Sequence, residues 1–292
     1  MPPLIQCVPN FSEGRDPQAI QAIVDAVRTV PHVRLADWSS DSDHNRLVVT
    51  FVGPPAPVLD ACRAACAVAV QRIDLTRQQG VHPRLGALDV LPLVPLAETT
   101  LDECAALARD LGADLARAHG LPVFLYEAAS SARHSLPFVR REAFRALAPD
   151  FGPPAPHPTA GGMVVGARGP LVAFNVNLAD ADPRAARRIA RELRDNGGAG
   201  FHGVRALGLA LASRAQTQVS MNITLPRETS LMALVAYISR RALELGTQAT
   251  ESEVIGALPS FAAMGVLGQA LHATLQPGQV LWESAGGSPE SL

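Results

Sequence analysis

The chain's eight histidines are scattered singly, and one of them has an unusual setting. His82 lies in "GVHPRLGALDVLPLVPL", Gly80 to Leu96, between a glycine-rich turn and an apolar run. Pro83 disfavours helical φ/ψ at the residue before it, so His82 is expected to be extended. Gly80 frees the approach, and Gly86 permits a turn before the strand. A side chain that titrates near neutral pH, held rigid at a strand mouth, suits general acid–base work. A structural histidine is the competing reading. Asn10, Asn45, Asn175, Asn177 and Asn222 fall at or near the ends of apolar runs. Asn175 and Asn177 are two apart, so they share one face of a strand. Buried amides need partners. Those partners are either backbone groups at the sheet end or a ligand rich in donors and acceptors, such as a pterin.

Other chemistry-bearing patterns fail. "GAGFHG" (Gly198–Gly203) follows a helical pattern rather than a strand, and no acid lies about 20 residues on, so it reads as a loop and not a dinucleotide site. "GMVVGARG" lacks the Gly-Lys-Ser/Thr of a phosphate loop. No Cys or His cluster has zinc spacing, so no metal is expected. Arg184, Arg187, Arg188, Arg191 and Arg194 recur at helical intervals. They read either as a solvated face or as a wall for a polyanion.

Elements must position these residues. With 292 residues, 48% of them apolar, the chain can bury a sizeable core. Net charge is −2, so no global field favours nucleic acid or an anionic membrane, and neither is expected as a partner. All 25 cations are arginine, whose planar fork suits carboxylates. No signal-peptide pattern or apolar run of about 18 residues is visible. Cys7, Cys62, Cys66 and Cys104 read as reduced and buried, which fits a cytoplasmic protein. The pattern to residue 96 is β-α-β-β-α-β, extended by a helix (100–119) and a strand (122–126). The pattern recurs from Gly161, with "GMVVGARGPLVAFNVNL" as two strands of the second set. The fold is therefore expected to be α+β, with two ferredoxin-like βαββαβ sandwich subdomains, 1–180 and 181–292. "SAGGSPESL" reads as a frayed tail.

Seven ordered blocks carry a resemblance: "CVPNFSEGR", "NRLVVTFVGPP", "HPRLGALDVLPLVP", "PDFGP", "GARGPLVAFNVNL", "QVSMNI" and "SEVIGALP". Together they closely resemble the formiminotransferase domain of formiminotransferase-cyclodeaminase and the stand-alone glutamate formimidoyltransferases. The resemblance implies two ferredoxin-like subdomains, a homodimer, and transfer of the formimino group of N-formimino-L-glutamate to N5 of tetrahydrofolate. It implies that His82, in the H-P-R-x-G-A block, transfers the proton. It places folate binding on Met163, Val164, Val165, Gly166, Ala167, Arg168, Gly169, Pro170, Leu171 and Val172. The family's D-x-D reads Asp37-Trp38-Ser39 here, and Asp41 and Asp43 are the acids able to substitute. No cyclodeaminase domain is expected, so the product would be released or handed on.

Such a transfer needs a base for the N5 proton and an acid for the departing glutamate nitrogen; a group with pKa near 7 serves both in turn. Asp37 is the expected orienting group for His82. At least one of Arg46, Arg84 and Arg168 is expected to bind a substrate carboxylate. Asn10, Asn45, Asn175, Asn177 and Asn222 are the remaining candidates for substrate contact. Formyl transfer on the same fold, and a folate-binding module without catalysis, stay open beside this reading.

Overall fold

A computed structural model describes residues 2–194 and 196–273. The chain divides into two compact units, Met1–Gly169 and Pro170–Leu292. The tail Ser284–Leu292 lies outside the described residues.

The first unit runs β1 (Ile5–Cys7), β2 (Asn10–Phe11), α1 (Pro17–Arg28), β3 (Arg34–Asp41), β4 (Arg46–Gly53), α2 (Pro55–Arg72), β5 (Leu88–Pro95), α3 (Leu101–His119), β6 (Val123–Glu127), α4 (Leu136–Glu142) and β7 (Met163–Ala167). Local chemistry starts the helices. Asp16 accepts from the backbone N–H of Gln18 and Ala19, with Pro17 in the first turn of α1. Thr100 and Glu103 form a reciprocal capping box on α3, which ends at left-handed Gly120. β1 and β2 act as one interrupted strand, since both pair with β4 on one side and β5 on the other. β3 pairs with the far side of β4. The result is the expected ferredoxin-like order, β3–β4–(β1, β2)–β5.

Apolar residues of α1, α2 and α3, among them Ile23, Val27, Leu111 and Leu115, bury one face of this sheet with Phe51 and Leu93. On the other face, α4 packs through Val139 against Val90, Phe124, Tyr126 and Val164. Among the described residues no helix of this unit covers that second face over β2, β3 and β4. All four cysteines are free and buried, as expected.

The second unit runs β8 (Val172–Leu178), α5 (Arg184–Leu193), β9 (Val204–Leu211), β10 (Gln216–Ile223), α6 (Leu231–Glu244), β11 (Ala249–Ile255) and α7 (Ser260–Leu271). Its antiparallel sheet, β11–β8–β10–β9, has the same connectivity as the first. Val172, Phe174, Val176, Val219 and Met221 alternate onto the face that meets Ile189, Leu193, Leu234 and Ile238 of α5 and α6.

One strand lies elsewhere than the sequence pattern placed it. β7, expected to open the second set, instead sits between β5 and β6 and runs parallel to both. Its five residues are all buried, as befits a parallel strand covered on both faces. The division consequently falls at Gly169/Pro170 rather than at 180.

Candidate active site

Leu47, Val49 and Phe51 of β4 point into the helix-covered core, so Arg46, Val48 and Thr50 alternate onto the helix-free face. Arg46 donates through Nε and Nη2 to Asn10 Oδ1 at 2.9 and 2.6 Å, and through Nη1 to Asp89 Oδ2 at 3.4 Å. Asp89 is present because of a bulge: Asn10 faces Val90 while Phe11 faces Leu88, leaving Asp89 as the extra residue. Bulges re-aim side chains in this way. Asp89 is 1% exposed. Its Oδ1 accepts from the Leu85 N–H at 2.6 Å, and its Oδ2 also accepts from Arg140 Nη2.

His82 abuts this cluster. Its Nδ1 lies 2.7 Å from the Pro83 carbonyl, which can only accept, a contact that favours the tautomer with the proton on Nδ1. In that tautomer Nε2 carries the lone pair, toward which Arg46 Nη1 donates at 3.2 Å; the same Nη1, which can only donate, also abuts Nδ1. Burial, followed by the Arg46 and Arg140 charges, holds the His82 imidazole well below its ordinary pKa. Burial likewise brings Arg46 down to about 9, against the opposing pull of Asp89, and it stays cationic at neutral pH. A second histidine faces the first. The His44 and His82 ring centroids are 6.3 Å apart, and His44 donates through Nδ1 to Asp41 at 2.8 Å.

The loops that carry these groups are tied together by polar contacts. Asn45 Oδ1 accepts from Gly14 N at 2.8 Å, and its amide donates to the Gln79 carbonyl at 3.0 Å and to Gln78. Gln78 in turn donates to Glu13 at 2.7 Å. Gly80 and Gly86 are required by close approach rather than by unusual φ. A Cβ on Gly80 would lie 2.5 Å from the His44 carbonyl, and one on Gly86 would lie 1.7 Å from that of Gly162.

The structure thus brings His82, Arg46 and Asn10 together, with Arg84 alongside, donating to the His44 carbonyl at 3.1 Å. Asn45 serves as a loop tie. Asp37 pairs across from Thr50 on β3 and makes no hydrogen bond with His82 among the described residues. The acid engaged with a histidine is Asp41. In the second unit, Asn175 and Asn177 do share a face, and there they partner one another's neighbours. Asn177 Oδ1 accepts from Gln218 Nε2 at 2.9 Å, and both asparagine amides donate to Glu253, at 3.5 and 3.3 Å. Arg214 donates to the same carboxylate at 2.9 Å. Asn222 is exposed on β10.

Of the segment from Met163 to Val172, the side chains of Met163, Val164, Val165 and Ala167 are core. Gly166 leaves room for the Tyr126 ring, 2.4 Å from where a Cβ would stand. The Arg168 guanidinium lies near Tyr126 and donates to the Gly169 carbonyl at 3.0 Å. Gly169, Pro170 and Leu171 lead out of the sheet to Val172, which opens β8. On α5, Arg188 pairs with Glu192, whereas Arg194 stands off the helix, donating to the Ala206 carbonyl at 2.9 Å. "GAGFHG" is a loop between α5 and β9.

Sequence reasoning missed Asp89, Arg140 and His44. Asp89 had left a signal: a lone acid inside an apolar strand requires a buried partner. Arg140 had none, because its role depends on where α4 docks. Among the described residues no three His, Cys, Asp or Glu side chains converge as a metal would require. Nor is any described helix long and apolar enough to cross a membrane.

Comparison with known families matches residues 4–168 to the N-terminal subdomain of the formiminotransferase domain and residues 173–269 to the formiminotransferase domain itself. The break between the two matches falls where the structure divides. Glutamate formimidoyltransferase of Streptococcus pyogenes is 39% identical over 277 residues, covering 91% of this chain and 92% of that protein. The glutamate formimidoyltransferase of Thermoplasma acidophilum is 37% identical, covering 90% of each. Formimidoyltransferase-cyclodeaminase of Sus scrofa is 42% identical over 89% of this chain, which spans 51% of that longer protein.

Proposed function

The chain belongs to the formiminotransferase-domain family, and from that premise we propose that it moves the formimino group of N-formimino-L-glutamate to N5 of tetrahydrofolate, giving L-glutamate and 5-formiminotetrahydrofolate. The observation that carries the reading is His82, held between the Pro83 carbonyl and the Arg46 guanidinium in the matched domain.

N5 attacks the amidine carbon to form a tetrahedral intermediate. His82 takes the N5 proton at Nε2 and delivers it to the glutamate nitrogen as the C–N bond to glutamate breaks. Without ligands, burial together with the Arg46 and Arg140 charges keeps His82 neutral and therefore ready to act as a base. Substrate carboxylates bring negative charge beside those cations and raise His82 toward neutrality, where it serves as acid as well. Asn10 and Asp89 hold Arg46 in place. Folate is met at the Arg168–Leu171 end of the Met163–Val172 segment, since Met163–Ala167 form a buried, doubly paired strand and Val172 is core.

A cytoplasmic homodimer acting in histidine degradation and one-carbon metabolism accompanies this reading; sedimentation velocity of the purified chain tests the dimer. The activity itself is tested by mixing protein, tetrahydrofolate and formiminoglutamate and following the acid-generated methenyl chromophore. Absence of product from wild-type protein rejects the reading. Faster turnover of N-formyl-L-glutamate would reassign the donor.

A further inference from the structure

A guanidinium has five N–H donors, and the arginines near His82 spend theirs unequally. Arg46 uses all three nitrogens, on Asn10, Asp89 and His82. Arg84 uses Nη2 on the His44 carbonyl, and its Nη1 is buried without a partner. Arg140 uses only Nη2, on Asp89; its Nε is buried and unpaired, and Nη1 makes no hydrogen bond among the described residues. Yet the Arg140 side chain is only 17% exposed. Unmade donors on a buried cation are costly unless something accepts from them. The charge count points the same way, because Arg46 and Arg140 both pair with a single carboxylate, Asp89. A net positive charge remains beside the His82 imidazole, on which Arg140 acts directly.

Arg140 is placed there by packing. Ser135 caps α4, and Val139 seats it on Phe124, Tyr126 and Val164. The neighbouring Arg141 is turned away, pairing with Glu142 and lying over Phe138.

Resting on the transferase reading above, we propose that Arg140, seconded by Arg84, binds the α-carboxylate of the formimino donor. The donor's formimino nitrogen is bonded to the carbon that bears this carboxylate, so its anchor must stand beside the residue that protonates that nitrogen. The γ-carboxylate carbon stands three bonds from that carbon, against one for the α-carboxylate. The glutamate of folate is separated from N5 by an aminobenzoyl group. Neither meets that condition.

The test compares wild type, Arg140→Gln and Arg140→Lys on N-formimino-L-glutamate, its α-amide and its γ-amide. Charged hydrogen bonds of this kind are worth roughly tenfold to a hundredfold. Arg140→Gln should raise KM for formiminoglutamate by about that factor, with kcat within a few-fold and KM for tetrahydrofolate unchanged. Wild type should lose about as much on the α-amide, where Arg140→Gln should cost nothing further. Arg140→Lys, which keeps a cation on Asp89, should recover part of the loss. Equal losses on all three donors would overturn the proposal. Calorimetric titration with N-acetyl-L-glutamate decides the anchor independently of turnover. Binding by wild type that is weakened in Arg140→Gln supports it; no binding, or binding unchanged by the substitution, overturns it. An inactive wild type that still binds through Arg140 would instead reject the transferase reading alone.

Discussion

His82 and Arg46 pose an electrostatic problem whose solution is visible in two atoms. The Pro83 carbonyl favours the proton on Nδ1, and burial, followed by the Arg46 cation, disfavours a second proton on Nε2. The group is therefore a base before it is an acid. Replacing it (His82→Ala) should lower kcat by about 10²–10⁴-fold while the fold persists, as judged by circular dichroism. The pH dependence has a definite sign. Burial and Arg46 depress the His82 pKa, so the active neutral form prevails down to a pH below about 6.5. In kcat/KM the acid limb should lie below that value, and in kcat, with carboxylates bound, it should lie higher. Arg46→Met removes one depressing charge and should shift the limb in kcat/KM upward. A limb already at about 6.5 in wild type, or one unmoved by the substitution, would contradict this electrostatic account.

At the scale of elements, irregularities in the strands aim the site. The bulge in β5 turns Asp89 onto Arg46 and Arg140. Another irregularity, between Leu35 and Asp37, moves Asp37, Ser39 and Asp41 onto the face that carries Arg46. Asp89→Asn leaves two nearly buried cations without their anion, and urea denaturation should show a loss of roughly 3 kcal/mol. Unchanged stability would mean that solvent already neutralises the pair. The His82 loop is bound just as closely by its glycines. Gly86→Ala would drive a Cβ into the Gly162 carbonyl. It should cost about 1–3 kcal/mol and reduce activity as well, because the loop that bears His82 must shift.

The whole molecule is two βαββαβ units, the first enlarged by β6, α4 and β7. Each has its own apolar cluster. The first unit contains His82, Arg46, Asp89, Arg140 and every hydrogen bond described among them. A chain ending at Gly169 should therefore fold by itself and melt in one cooperative transition. A fragment that remains unfolded in the far ultraviolet would show that its core is incomplete.

Local chemistry written in the sequence was enough for much of this. Alternation of apolar residues, proline and aspartate at helix starts, and glycine at tight approaches depend on near neighbours. They yielded the element order and both βαββαβ repeats. The tertiary structure alone decided which sheet takes β7, because an all-apolar strand carries no mark of its partners. It alone decided that Asp89, His44 and Arg140 converge on His82 from separate loops, a bulge and a short helix. Such convergence depends on strand register and helix docking, which are set by residues scores of positions apart. The quoted stretch "HPRLGALDV" names the base and the buried acid; only packing supplies the second arginine, which leaves a net positive charge beside them.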